Sequence, residues 1–81
     1  MDKWEYLSIL LYLDYEDVKR PFWYHPLESG EKLTGVAEIL NVYGALGWEL
    51  VSKMPEIWET LEGGSTYTVT TMSATFKRRL N

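Results

Sequence analysis

The hydrophobic pattern predicts three strands and one helix, each with its own departure from the ideal. Residues 3–13, Lys-Trp-Glu-Tyr-Leu-Ser-Ile-Leu-Leu-Tyr-Leu, contain no Gly or Pro and are rich in aromatic and branched side chains, which predicts a strand. One face would carry Glu5, Leu7, Ile9, Leu11 and Leu13, the other Trp4, Tyr6, Ser8, Leu10 and Tyr12. A sheet wetted on one side should alternate apolar with polar. This strand does not, so both faces are expected to be covered. Residues 65–78 predict a second long strand, threonine-rich with Tyr67, Val69, Met72, Ala74 and Phe76 between the hydroxyls. Trp48 to Met54 predicts a shorter one, ended by Pro55.

Residues 32–46 follow a helical period. At 100° per residue, Leu33, Val36, Ala37, Leu40 and Gly44 gather on one side with Tyr43 at the edge, which predicts the core stripe. A second apolar stripe holds Ile39, Val42 and Leu46, and only Thr34, Glu38 and Asn41 form a polar arc. Gly44 would let the helix end approach the sheet, and Gly47 would supply the left-handed residue that ends it. The order strand, helix, strand, strand predicts an α+β domain: β-α-β-β, with a three-stranded mainly antiparallel sheet, the third strand central, and one helix on one face. Such a unit leaves one sheet face and two edges open. The expected remedy is a homo-oligomer, assembled through that face, an edge or the second helix stripe, with Trp4, Tyr6, Tyr12, Ile39, Val42 and Leu46 as contact residues.

Two segments resist the pattern. Residues 14–31 run through charged Asp14–Arg20, then Pro21-Phe22-Trp23-Tyr24-His25-Pro26, then Glu28-Ser29-Gly30. They predict an enlarged loop with at most a short extended piece at Phe22–Tyr24, because proline fixes φ and removes a backbone donor. Residues 55–64 predict an acidic turn region with Ile57, Trp58 and Leu61 exposed and the turn at Gly63-Gly64.

Three short stretches carry a resemblance. Trp4-Glu5-Tyr6 opens the first strand. Leu40-Asn41-Val42-Tyr43-Gly44-Ala45-Leu46-Gly47-Trp48-Glu49-Leu50-Val51 spans the helix-strand junction. Phe76-Lys77-Arg78 closes the last strand. In this order they resemble the domain-of-unknown-function family 4177, small bacterial and phage-associated proteins. The junction is the most specific part. The resemblance implies the same β-α-β-β fold and no established activity. The enlarged segments at 14–31 and 55–64 depart from the family pattern, which places this protein's own role in them.

Composition narrows the function classes. The chain has 81 residues, no cysteine, one histidine and a net charge of −4. One domain, residues 1–81, fits this length. Disulfides, thiolate chemistry and ordinary zinc sites are excluded, and no calcium loop pattern occurs. No apolar run approaches the roughly 20 residues of a membrane span. Met-Asp-Lys-Trp-Glu at the start lacks the apolar stretch of a secretion signal, so the expectation is a cytoplasmic protein. All twelve acids lie within residues 2–62 beside five of the eight basic residues, giving that segment −7; the remaining residues carry +3 from Lys77, Arg78 and Arg79. The acidic balance argues against nucleic acid as a partner, and the basic end reads as a solvated strand terminus.

His25 lacks a nucleophile in a recognisable arrangement, so no catalytic residue, metal or cofactor is expected. Binding chemistry is richer. Arg20, Phe22, Trp23, Tyr24, His25 and Trp58 could contact a protein partner, plug the open end of the core, or hold a small ligand such as a nucleotide or aromatic metabolite. The expected function is therefore a non-enzymatic domain that self-associates and binds through its aromatic loops. A small-molecule binding protein using residues 20–25 is the alternative.

Overall fold

A computed structural model describes residues 2–17, 19–60 and 67–80. The elements run β1 (Trp4–Asp14), β2 (Phe22–Pro26), β3 (Lys32–Thr34), α1 (Val36–Ala45), β4 (Glu49–Thr60) and β5 (Tyr67–Arg79). The strands form one sheet in the order β3-β2-β1-β5-β4, every neighbour antiparallel. The expectation of a three-stranded sheet is thus corrected: the sheet has five strands, and the two additional ones come from residues assigned to a loop and to the start of the helix. Leu61 and the Gly63-Gly64 turn lie outside the described residues.

The prolines of the supposed loop bracket β2 instead of breaking it. Pro21 precedes the strand and Pro26 is its last residue, while Phe22-Trp23-Tyr24 has strong strand preference. Gly30, at φ 93°, closes the β2–β3 turn, its N–H donating to the Leu27 carbonyl at 3.0 Å. Gly35, at φ 90°, then stops β3 and delays the helix to Val36. The Thr34 N–H donates to the Glu38 carboxylate at 2.9 Å, which anchors that helix start. At the other end the Gly47 N–H reaches the Gly44 carbonyl and the Trp48 N–H the Tyr43 carbonyl, both at 3.0 Å, with Gly47 at φ 91°. This pair of bonds is the Schellman stop.

The core lies between α1 and one face of the sheet. Ile9 and Leu11 of β1, Ala74 and Phe76 of β5 and Ile39 of α1 are buried, with Leu7, Trp23, Leu33, Val36, Leu40, Tyr43, Trp48, Leu50 and Met72 packed around them. Val36, Leu40 and Tyr43 pack inward as the period predicts, but Ile39 of the second stripe joins them, so the inward face is rotated toward it. Ile39 is fully buried, so its assignment to self-association is corrected, whereas Ala37 and Gly44 are exposed. A Cβ at Gly44 would meet nothing within 4 Å, so this glycine makes no close approach.

Pro55 does not end β4. That strand runs to Thr60 on the sheet edge, where a missing N–H is tolerated. Register shifts fall between Leu50 and Ser52, Pro55 and Ile57, and Ile57 and Trp58. Beside them, Thr70 of β5 is buried, and its hydroxyl has no hydrogen-bond partner among the described residues. An unpaired buried hydroxyl destabilises, and valine has nearly its shape. Thr70→Val is expected to raise stability by about 1 kcal/mol and Tm by about 4–8 °C in a thermal melt. A lowered Tm would show that the hydroxyl is engaged. Among the described residues, no helix is long and apolar enough to cross a membrane.

Candidate interaction face

One helix cannot cover both sides of this sheet. Side chains alternate along a strand, and cross-strand partners share a face. Leu7, Ile9 and Leu11 face α1, so Tyr6, Ser8, Leu10 and Tyr12 face away from it. Register then assigns their partners to the same open side: Lys77, Thr75, Ser73 and Thr71 of β5, Tyr24 and Phe22 of β2, and Glu49, Ser52 and Met54 of β4. Tyr6, Leu10 and Met54 are exposed there. Within one chain, β1 is covered by α1 on one face only.

The irregular part of β4 enriches this face. Ile57 pairs with Thr71 and Trp58 with Val69, two β5 residues of the same parity. Consecutive residues thus share a side, an outcome that bulges produce. Ile57 is 47% exposed and Trp58 52% exposed. Thr71, between Tyr12 and Ile57, is buried although it lies on the open side. Tyr12 and Tyr24 lie 5.8 Å apart by ring centroids, Phe22 and Tyr24 6.4 Å, and Lys32 reaches over both of the β2 rings. Aromatic, branched and sulfur-containing side chains therefore gather on the half of the face that holds Leu10, Tyr12 and their neighbours. The other half is more polar, with a hydrogen bond between the Ser8 and Thr75 hydroxyls at 2.9 Å. At its end Trp4 has Lys77 Nζ 4.6 Å and the Arg79 guanidinium 5.8 Å from its ring centroid.

The expected ligand-binding residues divide between the two sides. Phe22 and Tyr24 belong to the open face. Trp23 packs on the core, and His25 lies on the helix side, where the Tyr43 hydroxyl bonds to its Nε2 at 3.0 Å. His25 Nδ1 bonds to the Leu10 carbonyl at 2.8 Å. That carbonyl can only accept, so Nδ1 carries a proton, and in the neutral ring Nε2 accepts from Tyr43. Pro26 offers no N–H in this part of the β1–β2 ladder, and the imidazole donates in its place. Burial holds the Tyr43 phenol above its ordinary pKa, so it is a neutral donor at neutral pH. Arg20 is exposed, its N–H donating to the Asp17 carbonyl at 2.9 Å. Residues 20–25 therefore present two separate surfaces, not one pocket wall. Val42 on α1 and Leu46, the residue that follows it, are exposed away from the open sheet face.

The three stretches that carried the resemblance meet at one corner on the helix side. Arg78 pairs with Glu5, donates to the Leu46 carbonyl at 3.0 Å, and stacks 4.3 Å from the Trp48 ring centroid. Phe76 stacks on Tyr43 at 5.2 Å. A cation on the last carbonyls of a helix is favourable, and the planar guanidinium can serve all three contacts together. These residues clamp α1 to the sheet. Among the described residues no three His, Cys, Asp or Glu side chains gather as metal ligands do. No family model matches the chain, and neither a curated protein nor a solved structure matches it.

Proposed function

We propose that this protein is a non-enzymatic, cytoplasmic self-associating domain whose open sheet face is its binding surface. The observation that carries this reading is the open sheet face, where Tyr6, Leu10, Met54, Ile57 and Trp58 are exposed on the side turned away from α1.

The edges are poor alternatives to the face. β3 has only three residues. β4 has twelve, but Pro55 lacks a donor, Lys53 adds charge, and three register shifts interrupt its outer hydrogen-bonding line. Short strands, proline, lysine and bulges are the means by which natural sheets avoid edge pairing. Aromatic, methionine and branched residues on the face suit protein contact. The likeness to the domain-of-unknown-function family 4177 agrees with a small module without catalytic machinery.

Light scattering at micromolar concentration tests the proposal. The expected mass is twice the 9.5 kDa of one chain. A mass of one chain across the whole concentration range would remove it.

A further inference from the structure

The open face carries opposite charges on its two flanks. Lys32 stands on β3, its Nζ 5.4 Å from the Phe22 ring centroid and 5.1 Å from that of Tyr24. Glu56 stands on β4 and accepts a hydrogen bond from the Ser73 hydroxyl at 2.7 Å. Both are exposed. Register sets them nearly level along the strands. Lys32 pairs with Pro26, two residues beyond the Tyr12–Tyr24 rung and so level with Leu10. Glu56 sits between the Pro55–Met72 and Ile57–Thr71 rungs, and Met72 and Thr71 face Leu11 and Tyr12. β1 is the middle strand of the five.

We infer that the partner on this face is a second copy of the chain, related by a two-fold axis running along β1, so that Lys32 of each copy faces Glu56 of the other. The inference rests on the self-association proposed above and adds its geometry. An axis lying between two stacked sheets can run along the strands or across them. Across the strands, it keeps the lateral order, and Lys32 would face Lys32 and Glu56 would face Glu56. Along the strands, it reverses the lateral order: β3 lies over β4 of the other copy, β2 over β5, and β1 over β1. Only the second choice pairs opposite charges, and symmetry makes the pair twice. Facing sheets stand about 10 Å apart, a gap that lysine and glutamate side chains can bridge from opposite sides. The same rotation lays the Phe22 and Tyr24 rings over Thr71 and Val69, beside Ile57 and Trp58. Strand directions then stay aligned, as in stacked sheets generally.

Charge reversal tests the axis. Lys32→Glu, Glu56→Lys and the double variant would be compared with the unaltered chain by sedimentation equilibrium, with circular dichroism confirming that each is folded. Each single change turns two attractions into two repulsions and is expected to raise the dissociation constant on the order of tenfold. The double variant restores opposite charges at both contacts and is expected to return near the original value. If the unaltered chain dimerises and the single variants dimerise equally well, the flanks do not meet and this geometry is wrong, although self-association stands. A double variant as weak as the singles overturns it as well. If the unaltered chain is monomeric throughout, self-association itself fails and the geometry with it.

Discussion

Ile39→Ala is expected to lower the folding free energy by about 2–5 kcal/mol, against 0.5 or less (roughly) for Leu46→Ala. Both residues belong to the same apolar stripe by sequence, so the comparison separates two assignments of the helix. Ile39 is fully buried against Ile9, Leu11, Ala74 and Phe76, in a core with few fully enclosed side chains. Removing three carbons there leaves a cavity that a sheet and a clamped helix cannot easily close. A chain of this length has roughly 4–12 kcal/mol of stability in total, so the loss is a large fraction of it. Leu46 is exposed, beyond the last residue of α1. Urea unfolding at low protein concentration measures both variants. Equal stability of Ile39→Ala and the unaltered chain would return Ile39 to the surface.

Trp58→Ala is expected to have the opposite profile. Indole side chains that become buried in an interface are among those whose truncation commonly costs about 2 kcal/mol or more, so the dissociation constant should rise about 30-fold or further. The stability of the dilute single chain should change by about 0.5 kcal/mol or less, because Trp58 is half exposed there. Its position depends on the two irregularities around Ile57, which set adjacent apolar residues side by side beneath the same partner. Sedimentation equilibrium reads the association and a melt at low concentration reads the fold. A dimer that tolerates Trp58→Ala without weakening would show that another surface joins the copies.

The first and last strands of the chain and the helix stop were legible in the sequence because local chemistry alone decides them. Residues 4–14 and 67–79 have long runs of strand-forming side chains, and Gly47 followed by Trp48 fits the end of a helix that must turn at once into a strand. β2 was hidden because prolines mark a break only when they fall inside a ladder. Here they fall at its margins, and a side chain, His25, replaces the donor missing near Leu10. The helix face was legible in part: Val36, Leu40 and Tyr43 meet the core as the period predicts, but Leu33 lies in β3, beyond the left-handed Gly35, and Ile39 is the fully buried residue. With two apolar stripes, period alone does not say that Ile39 turns inward while Val42 and Leu46 stay exposed. The open face was half visible. Trp4, Tyr6, Leu10 and Tyr12 were legible as one strand face, and Phe22, Tyr24, Ile57 and Trp58 as candidate contacts or exposed side chains, but that all of these share a side with Met54, Lys32 and Glu56 emerged only with the register. No alternation marks Ile57 and Trp58, since a bulge is what makes neighbours share a side.

The place of β5 in the sheet also orders events during synthesis. It follows every other strand along the chain, yet it stands between β1 and β4 and contributes Ala74 and Phe76 to the core. Until residues 67–79 leave the ribosome, β1 has only the short β2 to pair with, and β4 has no neighbour at all. Pairing Trp4 with Arg79 then closes nearly the full length of the chain, a contact of high sequence separation. Folding is thus expected to be slow for so small a domain and to proceed as one late step after those residues emerge. Throughout translation the aromatic side chains of β1 and β4 stay exposed, which makes the nascent chain a natural client for chaperones.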